Sequence, residues 1–287
     1  MRCSKCPGDS LIFQPYSGLH LCRSHFLLDL EAKAKRDIRA HSWLRPGDHI
    51  GVLMTGDKKS LALLHFLSIL VANRRDVRVT AIFTRKPEEE SPPAGNVQRF
   101  MEDHSIGCIY EMATDTDSLT CNLTGTSPLP VKIADRYTIT KFAGGRSLDD
   151  AALEFFVSLL KGSPEGFFGD DPKALLPVIT PFITVPGSEV DLYADVIGGG
   201  CIRPPPEPPA CRGFEQVLGD ALDNYTERHP ATKYSLLQIS ERIRLGKKRG
   251  DAGPDPGPAG ENFPGSQGAR ARTPGRRPAM TRKRDRI

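Results

Sequence analysis

The sequence predicts an α/β fold built on a parallel sheet, with a small metal-binding module ahead of it and helices behind. Three observations predict it. An apolar run, Ile50, Val52, Leu53 and Met54, meets a short loop, Thr55-Gly56-Asp57-Lys58-Lys59, and then a helical pattern at Leu61, Leu63, Leu64 and Leu67. A second strand-like run, Arg78-Val79-Thr80-Ala81-Ile82-Phe83, follows that helix, so the unit is βαβ and its strands run parallel. Cys3-x2-Cys6 and Cys22-x2-His25 stand fifteen residues apart, two ligand pairs with the spacing of a closed tetrahedral zinc site.

Bulk properties set the class. The chain has 287 residues, 38% hydrophobic and 26% charged, enough for one or two domains with a sizeable core. No apolar run reaches the roughly 18 residues of a membrane span, and the N-terminus lacks the apolar core of a signal peptide. The expectation is a cytoplasmic protein without membrane attachment, whose seven cysteines serve as thiols or metal ligands. The net charge of +4 is divided: residues 246–287 carry +7, leaving −3 for the body. Nucleic-acid affinity in the folded part must therefore come from local patches.

The elements follow in order. In the first module, Cys3, Cys6, Cys22 and His25 close a four-ligand structural site, with His20 as a competing ligand outside the paired spacing. The segment between the pairs is short and polar, so a bound metal would supply its folding energy. Ser24 to Arg39 reads as an amphipathic helix, with Phe26, Leu27, Leu30 and Ile38 opposite Lys33, Lys35, Arg36 and Arg39; the basic face is either an approach to RNA phosphates or a solvated face. Leu44 to Asp48 is a turn leading into the strand at Ile50. The loop after that strand is an anion site, because the first helical N–H groups lack partners and the helix dipole favours negative charge there; Ser60 reads as the N-cap of a helix running to Asn73. The G-x-x-x-x-G-K-S/T spacing of a Walker loop is absent. Arg85 to Asn96 reads as a loop, Val97–His104 as a helix, Gly107–Met112 as a third strand and Tyr137–Phe142 as a fourth. Ser147 caps a helix whose first turn holds Asp149 and Asp150, as the dipole prefers, and whose body carries Phe155, Phe156, Leu159 and Leu160. Pro204 to Pro209 is a stiff linker, Phe214–His229 and Thr232–Leu245 are helices, and from Gly246 the Gly, Pro and Arg-rich chain reads as a disordered basic tail. The expected domains are thus 1–40, 41–200, 201–245 and 246–287.

These motifs resemble a known family. Thr55-Gly56-Asp57-Lys58-Lys59-Ser60-Leu61-Ala62-Leu63-Leu64 is similar to S-G-G-x-D-S-L-A-L-L, the pyrophosphatase loop of the ATP-dependent tRNA 2-thiolation proteins. Gly145, Leu148, Asp149, Asp150 and Ala152 match that family's G-H-N-L-D-D-x-A-E, with Arg146 in the histidine seat. Leu176 to Phe182 and Glu189 to Ala194 resemble its P-L-x-x-I-P-x-x-E-V-x-x-Y-A segment, and the N-terminal finger is that of its archaeal and thermophile branch. The resemblance covers roughly residues 1–245.

It implies a doubly wound, Rossmann-like sheet of the adenine nucleotide alpha hydrolase type. It also implies an activity: adenylation of a uridine C2 oxygen by ATP, then displacement of AMP by sulfur. Implied cofactors are structural Zn²⁺, ATP with Mg²⁺, and an iron–sulfur cluster; implied partners are tRNA, a sulfur donor protein or sulfide, and a second copy or an active paralogue. The nucleotide would meet Thr55, Gly56, Asp57, Lys58, Lys59, Ser60, Gly145, Asp149 and Asp150, and sulfur would pass through Cys121 and Cys211. The chain departs from the pattern where chemistry is expected. Asp57 replaces a glycine, Lys59 replaces the aspartate that would serve Mg²⁺, Ser118 stands near the first of two paired cysteines, and the closing four-cysteine knuckle is missing. Cys201 is a stand-in for a third cluster ligand. Alternative readings are a non-catalytic nucleotide- or tRNA-binding paralogue, or another pyrophosphatase-loop adenylation.

Overall fold

The computed structural model describes residues 1–54, 56–85, 95–103, 106–112, 129–162, 176–198 and 213–251. Its centre is a five-stranded, all-parallel sheet made of β3 (His49–Met54), β4 (Arg78–Arg85), β5 (Gly107–Met112), β6 (Lys141–Ala143) and β7 (Val178–Ile179), in the order β5-β4-β3-β6-β7. Two short antiparallel strands, β1 (Ile12–Gln14) and β2 (Leu19–Leu21), form the N-terminal hairpin.

β3 is apolar from Ile50 to Met54 because both its faces are covered there. Ile50, Val52 and Met54 point into a core shared with α1 (Arg23–Ala40), α2 (Lys58–Val71) and α6 (Gly187–Val196), where Phe26, Leu30, Leu64, Phe66, Phe182 and Tyr193 meet. Leu53 points the other way, onto Ile133 and Ala134 of α4 (Leu129–Tyr137). The alternation places Gly51 on that second face, where a Cβ would lie 2.5 Å from Ile82 Cδ1, so only glycine fits. Helices on both faces and β3 as the first strand of the parallel sheet make this a doubly wound fold. α3 (Gly95–Asp103) connects β4 to β5, and α5 (Leu148–Leu160) packs against α8 (Thr232–Asp251) through Leu148, Ala151 and Leu237; α7 (Phe214–Arg228) lies beside both.

Four sequence expectations are corrected. Asp57, not Ser60, caps α2: Asp57 is extended (φ −88°, ψ 167°) and its side chain accepts the Ser60 N–H, so the helix begins a residue after it. Tyr137–Phe142 is not one strand. Tyr137 ends α4, Thr138 turns at φ 54°, and pairing with β3 starts only at Lys141. The apolar faces of Ile133 and Ala134 bury as a helix, which overrides the short strand-like run. Val178–Ile179 adds a fifth strand, pairing with Phe142 and Ala143. The last helix continues past Leu245 to Asp251, since Lys and Arg are good helix formers. Thr55, Cys121, Cys201 and Cys211 lie outside the described residues, as does 86–94 of the loop expected from Arg85 to Asn96, whose ends are instead the last residue of β4 and the first turn of α3. Among the described residues no helix is long and apolar enough to cross a membrane.

Candidate functional site

The four predicted metal ligands converge. Cys3 and Cys6 sit on a knuckle, Cys22 is the N-cap residue of α1 and His25 lies in its first turn; their ligand atoms all fall within 4.8 Å of one another. Cys6 Sγ lies 3.7 Å from Cys22 Sγ, and His25 Nδ1 lies 3.4 Å from Cys3 Sγ and 3.3 Å from Cys22 Sγ. A tetrahedral Zn²⁺, with bonds of about 2.3 Å to sulfur and about 2.0 Å to nitrogen, requires edges of about 3.8 and about 3.5 Å. The three closest edges therefore match those of a closed four-coordinate ion. The knuckle is tightened by Cys3 N–H to Gly8 O at 2.8 Å and Lys5 N–H to Cys3 Sγ at 3.4 Å. Burial alone would raise the Cys3 thiol, but backbone N–H groups of Lys5 and Cys22, with His25, bring it down to about 6. His20 stays out of the set; its ring lies against Phe13, centroids 4.6 Å apart.

The second site is the corner where β3 hands over to α2. β3 and β6 are neighbours, and the connections leave them in opposite directions, so their C-terminal ends form the topological switch point. Gly56 takes φ +89°, a conformation that favours glycine. Asp57 Oδ1 accepts the Ser60 N–H at 2.8 Å, and Ser60 Oγ donates to Asp57 O at 2.9 Å. Gly145, just past β6, closes the other wall. A Cβ there would lie 3.0 Å from Lys59 C and 3.1 Å from Lys59 O, so the matched glycine is explained by the close approach of two backbones.

The two loop lysines each meet an acid. Lys59 Nζ lies 2.7 Å from Asp150 Oδ2 and 3.2 Å from Ser147 Oγ, and Lys58 Nζ lies 2.6 Å from Asp195 Oδ1 at the end of α6. Burial raises the Asp150 carboxyl, but Lys59 and the Ser147 donors outweigh it and hold Asp150 below its ordinary value. Asp150 also completes the capping box of α5, accepting from Ser147 N–H at 2.8 Å. Asp191 faces the same corner: burial pushes its carboxyl up against the pull of Lys59 and Lys58.

Asp149 turns away from the loop. Its Oδ2 accepts the Gly187 N–H and its Oδ1 the ammonium of Lys233, which lies 84 residues away on α8. Its role here is to tie α5, α6 and α8 together. Arg146 pairs with Glu154, two turns along α5. Sequence reading missed Lys233, Asp191 and Asp195, because their partners are distant in the chain and no local motif marks them.

A buried polar cluster joins the finger to the body. Glu189 on α6 accepts from Tyr16 Oη at 2.5 Å and from Gln14 Nε2 at 3.1 Å, while Lys33 Nζ lies 2.7 Å from Asp29 and 3.6 Å from Glu189. Burial pushes the Glu189 carboxyl up despite Lys33 and both donors. The same α6 thus carries Glu189 toward the finger, Tyr193 onto His65 Nδ1 at 2.9 Å, and Asp195 onto the loop.

Comparison with known proteins bears on the N-terminal module and on the fold. The family described as 2-thiouridine synthetase TtuA, N-terminal LIM domain, matches residues 2–27, the segment that holds the four ligands. The chain is similar to the tRNA 2-thiolation proteins. It is 26% identical to the tRNA 2-thiolation protein NcsA of Haloferax volcanii, over 85% of this chain and 87% of that one. It is 27% identical to the tRNA-5-methyluridine(54) 2-sulfurtransferase of Thermus thermophilus, over 85% and 81%. The U34-tRNA thiolase NcsA from Methanococcus maripaludis, solved with its [4Fe-4S] cluster, superposes with a TM-score of 0.69 at 22% identity, over 85% of this chain and 88% of that one. The resemblance to the tRNA 2-thiolation proteins is therefore borne out, and the likeness in fold covers 85% of this chain.

Proposed function

We propose that this chain acts in tRNA uridine 2-thiolation, with ATP held at the switch-point corner. What supports the reading is that corner itself: a glycine at positive φ, a helix N-terminus and two lysines lie beside Gly145 in a chain similar to tRNA thiolases. In the proposed reaction the uridine C2 oxygen attacks the α-phosphorus of ATP and pyrophosphate leaves. A sulfur nucleophile then adds at C2 and AMP leaves, carrying the original oxygen. Lys58 and Lys59 would release Asp195 and Asp150 and bind the polyphosphate, neutralising charge that builds on the leaving pyrophosphate. With lysine in the seat of the family's Mg²⁺ ligand, that neutralisation comes from the protein rather than a metal. Cys121 and Cys211 are the sulfur-handling residues in this reading, with Cys201 as the third thiolate if an iron–sulfur cluster assembles; iron and acid-labile sulfide in anaerobically purified protein test that point. Zn²⁺ on Cys3, Cys6, Cys22 and His25 would supply folding energy to the finger. The setting is the cytoplasm, with tRNA as substrate and sulfide or a donor protein as sulfur source.

Purified protein incubated with ATP and unmodified tRNA should release AMP in a tRNA-dependent way. The Asp57 cap and the Lys59–Asp150 pair favour a second reading, a nucleotide- and tRNA-binding partner without adenylation. ATP binding without AMP release at saturating protein selects the partner role. Absence of both ATP binding and AMP release overturns the switch-point assignment.

A further inference from the structure

The outer face of the finger hairpin is separate from both sites above. Along β1 the side chains alternate: Ile12 packs against the main core and Gln14 is buried, while Phe13 turns outward and is 49% exposed. Its cross-strand partner is His20, whose ring lies against it at a centroid distance of 4.6 Å with 30° between the planes. His20 braces one side of the Phe13 ring and leaves aromatic surface open to solvent. The segment before the hairpin runs beside β2: Ser4 N–H donates to His20 O at 2.7 Å, and His20 N–H donates to Ser4 Oγ at 3.0 Å. This places the exposed Arg2 and Lys5 on either side of the residue bonded to His20.

The surrounding charge names the partner. Residues 1–40 hold seven Lys/Arg against four Asp/Glu, so +3, whereas residues 41–245 carry −6. The finger and its helix are thus a positive island on a negative body, the local patch that a polyanion would seek. An exposed, braced aromatic ring in such an island suits an unpaired nucleobase, which stacks on the ring while a flanking phosphate meets the exposed Arg2; Lys5 Nζ lies 3.9 Å from Asp29. A hydrogen bond also links the module to the helix that reaches the corner. Arg23, three residues from His20, donates to Val196 O at 2.6 Å, and the adjacent Asp195 holds Lys58.

We propose that Phe13, braced by His20, is a stacking platform for an unpaired base of the RNA substrate. This rests on the tRNA reading above. The test is binding of a fluorescent, unmodified tRNA transcript to full-length, metal-loaded protein, with zinc content and melting temperature checked for each variant. Phe13→Ala should weaken tRNA binding about 5-fold to about 100-fold, with ATP affinity and zinc content unchanged. Phe13→Trp should restore it and Phe13→Leu should not. On a blunt RNA duplex, which offers no free base, Phe13→Ala should have no effect. Equal tRNA affinity for wild type and Phe13→Ala, or full rescue by Phe13→Leu, overturns the platform. A change in oligomeric state with tRNA affinity untouched overturns it as well and assigns the face to a second copy. If the wild-type protein binds no tRNA, the thiolation reading itself fails, which is a different result from loss confined to Phe13.

Discussion

Replacing Lys59 by methionine tests whether a lysine does the work of a metal at the corner. Methionine keeps the length and the packing of the stem but removes the ammonium. In the free protein this breaks a half-exposed ion pair with Asp150, worth about 0–1 kcal/mol. In the complex it removes a charge-assisted bond to phosphate, worth about 1.5–3 kcal/mol. Because bound ATP must first draw Lys59 away from Asp150, the net loss is the difference, about 0.5–3 kcal/mol, or about 2-fold to about 150-fold in Kd. The assay is calorimetric titration of ATP into wild type and Lys59→Met, in EDTA and in Mg²⁺. Wild type should bind ATP in EDTA nearly as well as in Mg²⁺, and Lys59→Met should weaken both. Undiminished binding by Lys59→Met, or wild-type binding that vanishes in EDTA, refutes the reasoning.

Three further outcomes follow from the geometry. Gly145→Ala drives a Cβ into the Lys59 backbone at 3.0–3.1 Å, which cannot swing aside like a side-chain tip; a stability loss of about 1–3 kcal/mol and loss of ATP binding should appear in thermal melts and titration. Chelating the finger metal, or Cys6→Ser, should unfold the hairpin and loosen the Gln14–Tyr16–Glu189 contacts, read as loss of amide-exchange protection in β1 and β2 with the central sheet still protected. Burial raises the Asp48 carboxyl, but Lys141 at 2.6 Å and the Arg45 N–H outweigh it, so the folded value lies below the ordinary one. The stability this contributes is present above the usual aspartate range and is lost as pH falls through the folded value; Asp48→Asn should flatten the acid limb of a urea-denaturation series, whereas Lys141→Met should cost about 3 kcal/mol at neutral pH by stranding the charge.

Much of the site was legible because it is local. The Cys and His spacing fixed the ligands before any folding was known, since a knuckle and a helix start present pairs two residues apart. The β3–loop–α2 run announced its corner because both β3 faces are buried, which demands the unbroken apolar stretch from Ile50 to Met54. The choice of cap was misread because Asp57 and Ser60 are both good N-cap types, and only the extended backbone at Asp57 separates them. The strand at Val178–Ile179 was hidden by its shortness, as two residues carry no period.

The sequence by itself determined the cluster of metal-ligating side chains, the βαβ core and the glycine-containing turn that opens α2, because each is written within a few tens of consecutive residues. Only the tertiary structure decided what the charged residues do there. Asp149 matches a family motif yet faces Lys233, while Asp195, in no matched position, reaches Lys58. Those partners are set by how α5, α6 and α8 close over the sheet, and pairing across 84 or 137 residues leaves no periodic trace in the chain.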